Sequence, residues 1–260
     1  MKLGVNIDHI AVLREARKIN DPDPADALGI IKRSGADQIT IHLREDRRHI
    51  HDEDAEKIIS SSALPINLEC SIDEKIIDIV CSLKPMRATL VPEHREEVTT
   101  EGGLDIISYE DRTLAAIEKL HAHEIEVSLF VDPDLEMITL SDAMGAEWVE
   151  LHTGSYANIH AMLYSNLSRT HHAIASLDLP RHTLQTKLEE SLTTLLTAAD
   201  HAKSLGLKVA AGHGLNYHNV ERVVDIGAIE ELNIGQSIIA RSVFTGLKSA
   251  VKEMKTLISR

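Results

Sequence analysis

Short runs in which hydrophobic and polar residues alternate recur along the chain, separated by longer stretches with helical spacing. The alternating runs predict eight strands, near residues 2–8, 37–44, 65–71, 87–92, 126–132, 148–154, 208–214 and 230–236. The helical stretches lie near 24–33, 52–62, 73–83, 111–122, 134–144, 183–205, 216–226 and 242–258. Strands that alternate with helices in this number predict an α/β fold, a single-domain (β/α)8 TIM barrel over residues 1–260.

Local signals support some of these boundaries. Asp23-Pro24 and Asp132-Pro133 each place an acidic residue beside a proline, which predicts a helix start. Gly35, Gly145 and Gly227 each follow a helical stretch and precede a strand, which predicts left-handed helix ends.

Two segments exceed a minimal barrel. Residues 9–18 predict a short extra helix after the first strand, and residues 155–182 form an extended connection after the sixth. Such a connection is either functional or a variable surface excursion. An open doubly wound sheet is the structural alternative, but it favours a glycine-rich turn after the first strand, and residues 6–17 contain no glycine.

The two faces of the predicted strands differ in polarity. In the second strand Ile39 and Ile41 alternate with Thr40 and His42. Because helices cover the outside of a barrel, the apolar set faces outward and the polar set predicts a polar, partly hydrated interior. There we expect Lys2, Arg87 and Lys208 to pair with Glu126 and Glu231. An open antiparallel sheet with one solvated face is the alternative, which the intervening helices disfavour.

The charge balance restricts the partners. The chain has 27 Lys and Arg against 41 Asp and Glu, a net charge of −14, which argues against binding to nucleic acid or an anionic membrane. An anionic substrate therefore needs a local basic cluster. Two cysteines cannot form a disulfide scaffold, and no apolar stretch approaches a membrane span, so we expect a cytoplasmic protein.

Polar residues at the carboxyl ends of the strands are the candidates for chemistry. His42, Glu69 and His213 end different strands, so a barrel brings them to one face, where they suit a reaction with several proton transfers. The alternative for each is a hydrogen-bonded core residue. The histidine pairs at 49/51 and 121/123 end no strand, so no metal site is expected.

A basic cluster follows the second strand. It comprises Arg44, Arg47, Arg48 and His49, and guanidinium groups suit phosphate oxygens. Solvated salt bridges are the alternative interpretation for each arginine. Further phosphate contacts are expected from Arg14 and Arg17, and from the glycine-containing ends of the last two strands, at 212–214 and 233–235.

Longer motifs point to one family. They are GVNIDHIAVLREAR at 4–17, HLREDRRHI at 42–50, NLE at 67–69, LVPEHREEVTTEGGLD at 90–105, HTG at 152–154, AGHGLNYHNV at 211–220 and ELNIG at 231–235. In these motifs the chain resembles the pyridoxine 5′-phosphate synthase family. The resemblance implies a barrel with extra helices that assembles as a homo-octamer. It also implies condensation of 3-amino-2-oxopropyl phosphate with 1-deoxy-D-xylulose 5-phosphate to pyridoxine 5′-phosphate, phosphate and water, without metal or organic cofactor.

The same resemblance implies roles for individual residues. His42 and Glu69 match proton acceptors, and His213 matches a proton donor. Contacts to the amino ketone phosphate are implied for Asn6, Arg17 and Gly214, and contacts to deoxyxylulose phosphate for Asp8, His9, Arg44, His49 and Thr99. The family often has Gly-His where this chain has Gly235-Gln236, so a backbone contact is expected there. Residues 92–103 correspond to a lid that closes over the substrates.

Two other functions remain open from the residues alone. An aldolase or isomerase acting on a phosphosugar uses the same fold, but a Schiff-base aldolase needs a lysine at the active face, and no predicted strand ends in one. A non-catalytic regulator that binds a phosphometabolite needs the basic cluster but not His42, Glu69 and His213 together.

Overall fold

Eight parallel strands close into a barrel in chain order. The computed structural model describes residues 1–93 and 102–259. The strands are β1 (Lys2–Asn6), β2 (Gln38–His42), β3 (Ile66–Cys70), β4 (Arg87–Leu90), β5 (Glu126–Val131), β6 (Trp148–His152), β7 (Lys208–Gly212) and β8 (Glu231–Ile234). Each strand pairs with the next, and β8 pairs with β1. The predicted (β/α)8 barrel is therefore confirmed.

Helices connect successive strands on the outside. They are α1 (Asp8–Glu15), α2 (Leu28–Arg33), α3 (Asp52–Ser61), α4 (Glu74–Leu83), α5 (Glu110–His121), α6 (Leu135–Ala143), α7 (Gly154–Tyr164), α8 (Arg181–Leu205), α9 (Val220–Val224), α10 (Gln236–Thr245) and α11 (Leu247–Ile258). The predicted helix at 242–258 is wrong as a single element, because Gly246 (φ +76°) separates α10 from α11. The helix predicted at 216–226 shortens to α9, since Asn216 and Asn219 form a hydrogen-bonded turn before it.

The local boundary signals are only partly correct. Asp23 caps the short 3₁₀ helix Pro24–Ala27, as expected, by accepting a hydrogen bond from Ala25 N at 2.8 Å. Asp132 does not cap α6, because Asp134 accepts from the amides of Glu136 and Met137 instead. The left-handed helix ends are confirmed for Gly35 and Gly145, but Gly227 does not have a positive φ.

The outward-facing side chains of the strands form the main hydrophobic core. Leu3 and Val5 of β1 and Ile39 and Ile41 of β2 are fully buried in the layer between the sheet and the helices. This layer contains the apolar set of the alternating pattern. Removal of its surface from water is the main stabilising contribution to the fold.

Polar side chains meet inside the barrel, as predicted. Arg87 of β4, 2% exposed, donates to both carboxylate oxygens of Glu231 at 3.1 and 3.2 Å. The two strands lie on opposite sides of the barrel, so this pair crosses its interior. Gln38 of β2 accepts from Arg87 at 2.7 Å and donates to Glu231 at 3.1 Å. These contacts compensate the buried charges, which would otherwise be costly.

Trp148 lies at the amino-terminal end of the barrel. The Arg87 guanidinium lies 3.9 Å and the Lys208 ammonium 5.2 Å from the centroid of its ring, and its indole N–H donates to Glu126 at 3.2 Å. The expected Lys208–Glu126 pair is present at 3.2 Å. The expected pairing of Lys2 with a glutamate is wrong, because the Lys2 ammonium lies near the Trp148 ring instead, 5.9 Å from its centroid.

The two extra segments both contain helices. The short helix predicted after β1 is α1, and the connection between β6 and α8 contains α7 and the 3₁₀ helices Leu167–Arg169 and Ala175–Leu177. Within residues 1–93 and 102–259, no helix is long and apolar enough to cross a membrane.

Candidate active site

A cavity of about 460 Å³ opens at the carboxyl ends of the barrel strands. Most of the residues proposed from the sequence line it: Asn6, Asp8, His9, His42, Arg44, His49, Glu69, His213, Gly214, Gly235 and Gln236. Several residues without an assigned role also do so, among them Phe130, Glu150, His152, Asn233 and Ser237. The cavity combines basic, acidic and neutral polar groups, which suits a polar substrate.

His42 and Glu69 face each other from adjacent strands because the register pairs these two residues. His42 Nδ1 lies 3.9 Å from Glu69 Oε2. The backbone N–H of His42 donates to Asp8 Oδ1 at 2.9 Å, and Asp8 Oδ2 accepts from Asn6 Nδ2 at 2.9 Å. Asp8 and Asn6 thus hold the end of β2 in place, and two groups able to take protons lie side by side.

Glu93 is a contact that the sequence analysis missed. Its Oε1 lies 3.0 Å from His42 Nε2, and its Oε2 lies 3.4 Å from Arg44 Nη2. The residue follows β4 by three positions, within the motif LVPE. The sequence signal that could have identified Glu93 is its position as an acidic residue just beyond the end of a strand.

The basic cluster after β2 divides into two parts. Arg44 and His49 are buried and line the cavity. Arg47 and Arg48 do not line it, because they pair with Asp52 and Asp46 at 2.9 and 2.7 Å. For those two residues the salt-bridge alternative is correct.

The proposed phosphate contact of Arg14 is wrong. Arg14 donates to both oxygens of Asp54 at 2.7 Å and to the carbonyl of His49 at 2.9 Å. These contacts hold the loop that carries His49. The hydrogen bond to Asp54 raises the pKa of Arg14 above its usual value.

His49 is a neutral hydrogen-bonding group. Burial, together with the nearby charges of His42 and Arg44, lowers the pKa of His49 to about 3. Its Nδ1 accepts from the backbone N–H of Ile50 at 2.9 Å, which leaves the proton on Nε2. His49 can therefore donate one hydrogen bond from Nε2 near Arg44.

His213 lies in a constrained turn after β7. It has a φ of +76°, which is uncommon for a residue with a side chain. The Thr153 hydroxyl lies 2.7 Å from the carbonyl oxygens of both Gly212 and His213. Gly214 follows with a φ of +87°, and a Cβ there would come within 2.6 Å of Ala157 Cβ. The turn is thus fixed by contacts with Thr153, which precedes α7, and with Ala157 within α7.

Aromatic rings surround His213 on one side. Its ring packs edge-on against His152, with centroids 4.9 Å apart, and His152 packs similarly against Phe130 at 5.1 Å. His152 Nδ1 lies 3.0 Å from Asp132 Oδ1, and this hydrogen bond holds the pKa of Asp132 below its usual range. The orientation of His152 is therefore set by a carboxylate.

Glu150 reaches the floor of the cavity from β6. Its Oε2 accepts from Asn233 Nδ2 at 2.7 Å, and Asn233 Oδ1 accepts from Thr40 at 3.2 Å. Burial, with a further contribution from Glu231, raises the pKa of Glu150 to about 7. The carboxyl group is therefore able to exchange a proton near neutral pH.

The amino end of α10 forms part of the cavity wall. Gly235 precedes the helix, and Gln236 and Ser237 form its first turn, all lining the cavity. Amide N–H groups at a helix start are unpaired and attract anions. The backbone contact expected at Gly235-Gln236 remains a prediction with suitable surroundings.

Two predicted substrate residues lie apart from this cavity. Arg17 is exposed after α1 and is not among the lining residues. Thr99, with most of the predicted lid 92–103, lies outside the described residues.

One group of donor atoms has a spacing that a metal ion would need. Asp8, His42 and Glu69 place one donor atom each within 4.8 Å of the others. The Asp8 oxygens accept hydrogen bonds from Asn6 and from the His42 backbone, and the side chains of His42 and Glu69 lie 3.9 Å apart. A metal ion at this position would have to share the Asp8 oxygens with these donors.

Comparison with known proteins supplies a family. Residues 3–260 match the family model described as "Pyridoxal phosphate biosynthesis protein PdxJ". The chain is 68% identical over 258 residues to the pyridoxine 5′-phosphate synthase of Aliarcobacter butzleri (strain RM4018), covering 99% of both chains. It is 64% identical over 258 residues to that of Sulfurovum sp. (strain NBC37-1), covering 99% of this chain and all (100%) of the relative.

Solved structures support the architecture. Thiamine phosphate pyrophosphorylase from Pyrococcus furiosus superposes with a TM-score of 0.57 at 13% identity, over 99% of this chain and 95% of that one. A 3-hexulose-6-phosphate synthase superposes with a TM-score of 0.57 at 15% identity, over 100% of each chain. At such low identity the likeness concerns the fold alone.

Proposed function

The chain belongs to the PdxJ family of pyridoxal phosphate biosynthesis proteins, and from this premise we propose that it is a pyridoxine 5′-phosphate synthase. The reaction condenses 3-amino-2-oxopropyl phosphate with 1-deoxy-D-xylulose 5-phosphate and releases phosphate and water. The observation that carries the proposal is that one cavity gathers His42 and Glu69 from β2 and β3 and His213 from the turn after β7.

The chemistry explains why several acid/base groups are needed. Addition of the amine to a ketone, loss of water, loss of phosphate and ring closure move protons at different atoms, and one base cannot reach all of them. His42 and Glu69 take protons on one side of the cavity, and His213 donates from the turn after β7. The 3.9 Å between His42 and Glu69 lets each act on a different atom of the substrate.

Two parts of the cavity suit the two phosphate-bearing substrates. Arg44 and His49 offer a guanidinium and a neutral N–H donor for deoxyxylulose phosphate. On the other side, Gly214 and Gly235 bring backbone amides to the amino ketone phosphate, next to the start of α10. Asn6, Asp8 and His9 lie between these walls.

The proposal also includes the setting of the enzyme. We place it in the cytoplasm, with no metal or organic cofactor, as a homo-oligomer of eight chains. Val243 and Phe244, 67% and 88% exposed near the end of α10, support assembly, because neighbouring exposed apolar side chains form the kind of patch that marks an interaction surface. Light scattering of the purified protein measures the number of chains, and a monomer would refute assembly.

Incubation of the protein with both substrates tests the activity. Pyridoxine 5′-phosphate and free phosphate should appear together, and each should require both substrates. His42→Asn and Glu69→Gln should each lower kcat by about 10² or more with little change in Tm. His123→Asn, at an exposed position after α5, is the matched control and should retain normal turnover.

The alternative functions predict different results. An aldolase forming a Schiff base would give a lysine adduct on borohydride reduction, although no lysine is among the described residues that line the cavity. A regulator would bind the phosphorylated compounds without product. Near-normal turnover of both His42→Asn and Glu69→Gln would refute the assigned roles.

A further inference from the structure

The His42 ring lies between two carboxylates that contact its opposite nitrogens. Nε2 is 3.0 Å from Glu93 Oε1, whereas Nδ1 is 3.9 Å from Glu69 Oε2. The first distance is that of a hydrogen bond, and the second is too long for one. Glu93 is therefore hydrogen-bonded to the His42 ring, whereas Glu69 lies near it without a hydrogen bond to it.

The contact with Glu93 determines where the ring proton lies. An ionised carboxylate only accepts hydrogen bonds, so Nε2 of His42 must be the donor to Glu93. In the neutral ring the lone pair is then on Nδ1, on the side of Glu69. The backbone of His42 is fixed separately by its hydrogen bond to Asp8.

Glu93 itself is held in place and lies behind His42. Its other oxygen is 3.4 Å from Arg44 Nη2, and its side chain is 10% exposed. His42, Arg44 and Glu69 line the cavity, whereas Glu93 is absent from the described lining residues. Its effect on a substrate must therefore pass through the two residues that it contacts.

We propose that Glu93 is a positioning residue that fixes the orientation and tautomer of His42, so that Nδ1 is the atom that accepts the substrate proton. This rests on the proposed function. In the step, a substrate C–H or N–H bond breaks, its electron pair stays on the substrate, and an Nδ1–H bond forms. The resulting imidazolium lies between two carboxylates, and the proton is returned when water or phosphate leaves.

The charges around His42 determine whether loss of the Glu93 carboxylate favours or disfavours protonation of the His42 ring. Glu93, Glu69 and Asp8 contribute negative charge, and Arg44 contributes positive charge through its contact with Glu93. His49, with ring centroids 6.1 Å apart, is neutral across the working pH range. Removal of the Glu93 charge therefore disfavours the protonated form of His42.

Three variants test the proposal. Glu93→Gln keeps an acceptor for Nε2 but removes the charge, so kcat should fall about tenfold, and the acid limb of its pH profile should move down by about half to one pH unit. Glu93→Ala should lower kcat by about 10² because the ring loses its partner. Asp46→Asn is the matched control, since Asp46 also pairs with Arg44, at 3.3 Å, but its carboxylate hydrogen-bonds to Arg44 and Arg48 rather than to His42.

A second measurement does not depend on turnover. Deuterium exchange at histidine Cε1, followed by peptide mass spectrometry over a pH series, gives a titration midpoint for His42 in the ligand-free protein. We expect a lower midpoint in Glu93→Gln and an unchanged midpoint in Asp46→Asn. If Glu93→Gln is poorly folded, Glu93→Ala removes the same charge and should likewise lower the midpoint.

Opposite results would overturn the inference. An unchanged midpoint in Glu93→Gln would show that Glu93 does not act on His42. A lower KM with an undiminished kcat would identify Glu93 as a group that blocks Arg44. If the wild-type protein makes no pyridoxine 5′-phosphate, the proposed function fails, while the exchange experiment still decides whether Glu93 controls His42.

Discussion

Replacement of Glu150 with glutamine tests the electrostatics of the barrel interior through the pH dependence of stability. Glu150 is 3% exposed, and burial raises the pKa of its carboxyl group from 4.5 to about 7. The folded state therefore binds the proton more tightly than the unfolded state does. The contribution of Glu150 to the free energy of unfolding is greatest below pH 4.5, decreases as the pH rises to about 7, and is constant above that.

The size of the effect follows from the shift. Each pKa unit corresponds to about 1.4 kcal/mol, so the ionised carboxylate lowers the free energy of unfolding by roughly 3 kcal/mol. Glutamine resembles the protonated carboxyl group and can still accept from Asn233. The advantage of Glu150→Gln over wild type should thus grow by about 2.5 kcal/mol between pH 5 and pH 8, which corresponds to roughly 5–10 °C in Tm.

Differential scanning fluorimetry of the two proteins over a pH series measures this difference. Titration of carboxylates that do not interact with Glu150 affects both proteins and cancels. Glu118→Gln, at an exposed position on α5, is the control for the loss of one negative charge and should show a Tm difference that does not depend on pH. A constant difference between Glu150→Gln and wild type, or one that decreases with pH, would refute the reasoning.

Two further substitutions concern substrate binding and the His213 turn. Arg44→Ala removes the guanidinium that we propose binds the phosphate of deoxyxylulose phosphate, so KM for this substrate should rise about tenfold or more while KM for the amino ketone stays nearly unchanged. Equal rises of both KM values in steady-state kinetics would contradict that assignment. Thr153→Val removes the hydroxyl that contacts the carbonyls of Gly212 and His213. The free energy of unfolding measured in urea should fall by about 1–2 kcal/mol, and kcat should also fall. Unchanged stability and turnover would show that the turn does not depend on this hydroxyl.

The barrel could be predicted because its signal is repeated along the chain. In a strand such as Ile39, Thr40, Ile41 and His42, the apolar face must pack against helices and the polar face must point into the barrel. Eight strands with this alternation, separated by helices, are compatible with few folds other than a (β/α)8 barrel. Residues at strand ends then meet by geometry, which explains why His42, Glu69 and His213 were found together around one cavity.

Contacts between loops were harder to predict. Arg14 has the same sequence signal as a phosphate-binding arginine, and only the tertiary structure places Asp54 against it. Glu93 follows a strand in an irregular segment, where no periodicity relates a side chain to His42. The positive φ of His213 was also invisible, because it arises from contacts with residues distant in sequence.

The charged interior also limits how this barrel can change over evolutionary time. Loss of Arg87 alone would leave the buried Glu231 carboxylate without a charged partner and with only the hydrogen bond from Gln38, at a cost of about 3–5 kcal/mol, although simultaneous replacement of such a pair by aliphatic residues is often tolerated. Gln38 contacts both members and would have to change with them. Single substitutions at these positions are therefore selected against, and the three are expected to covary as a set, separated from aliphatic barrels by a fitness valley.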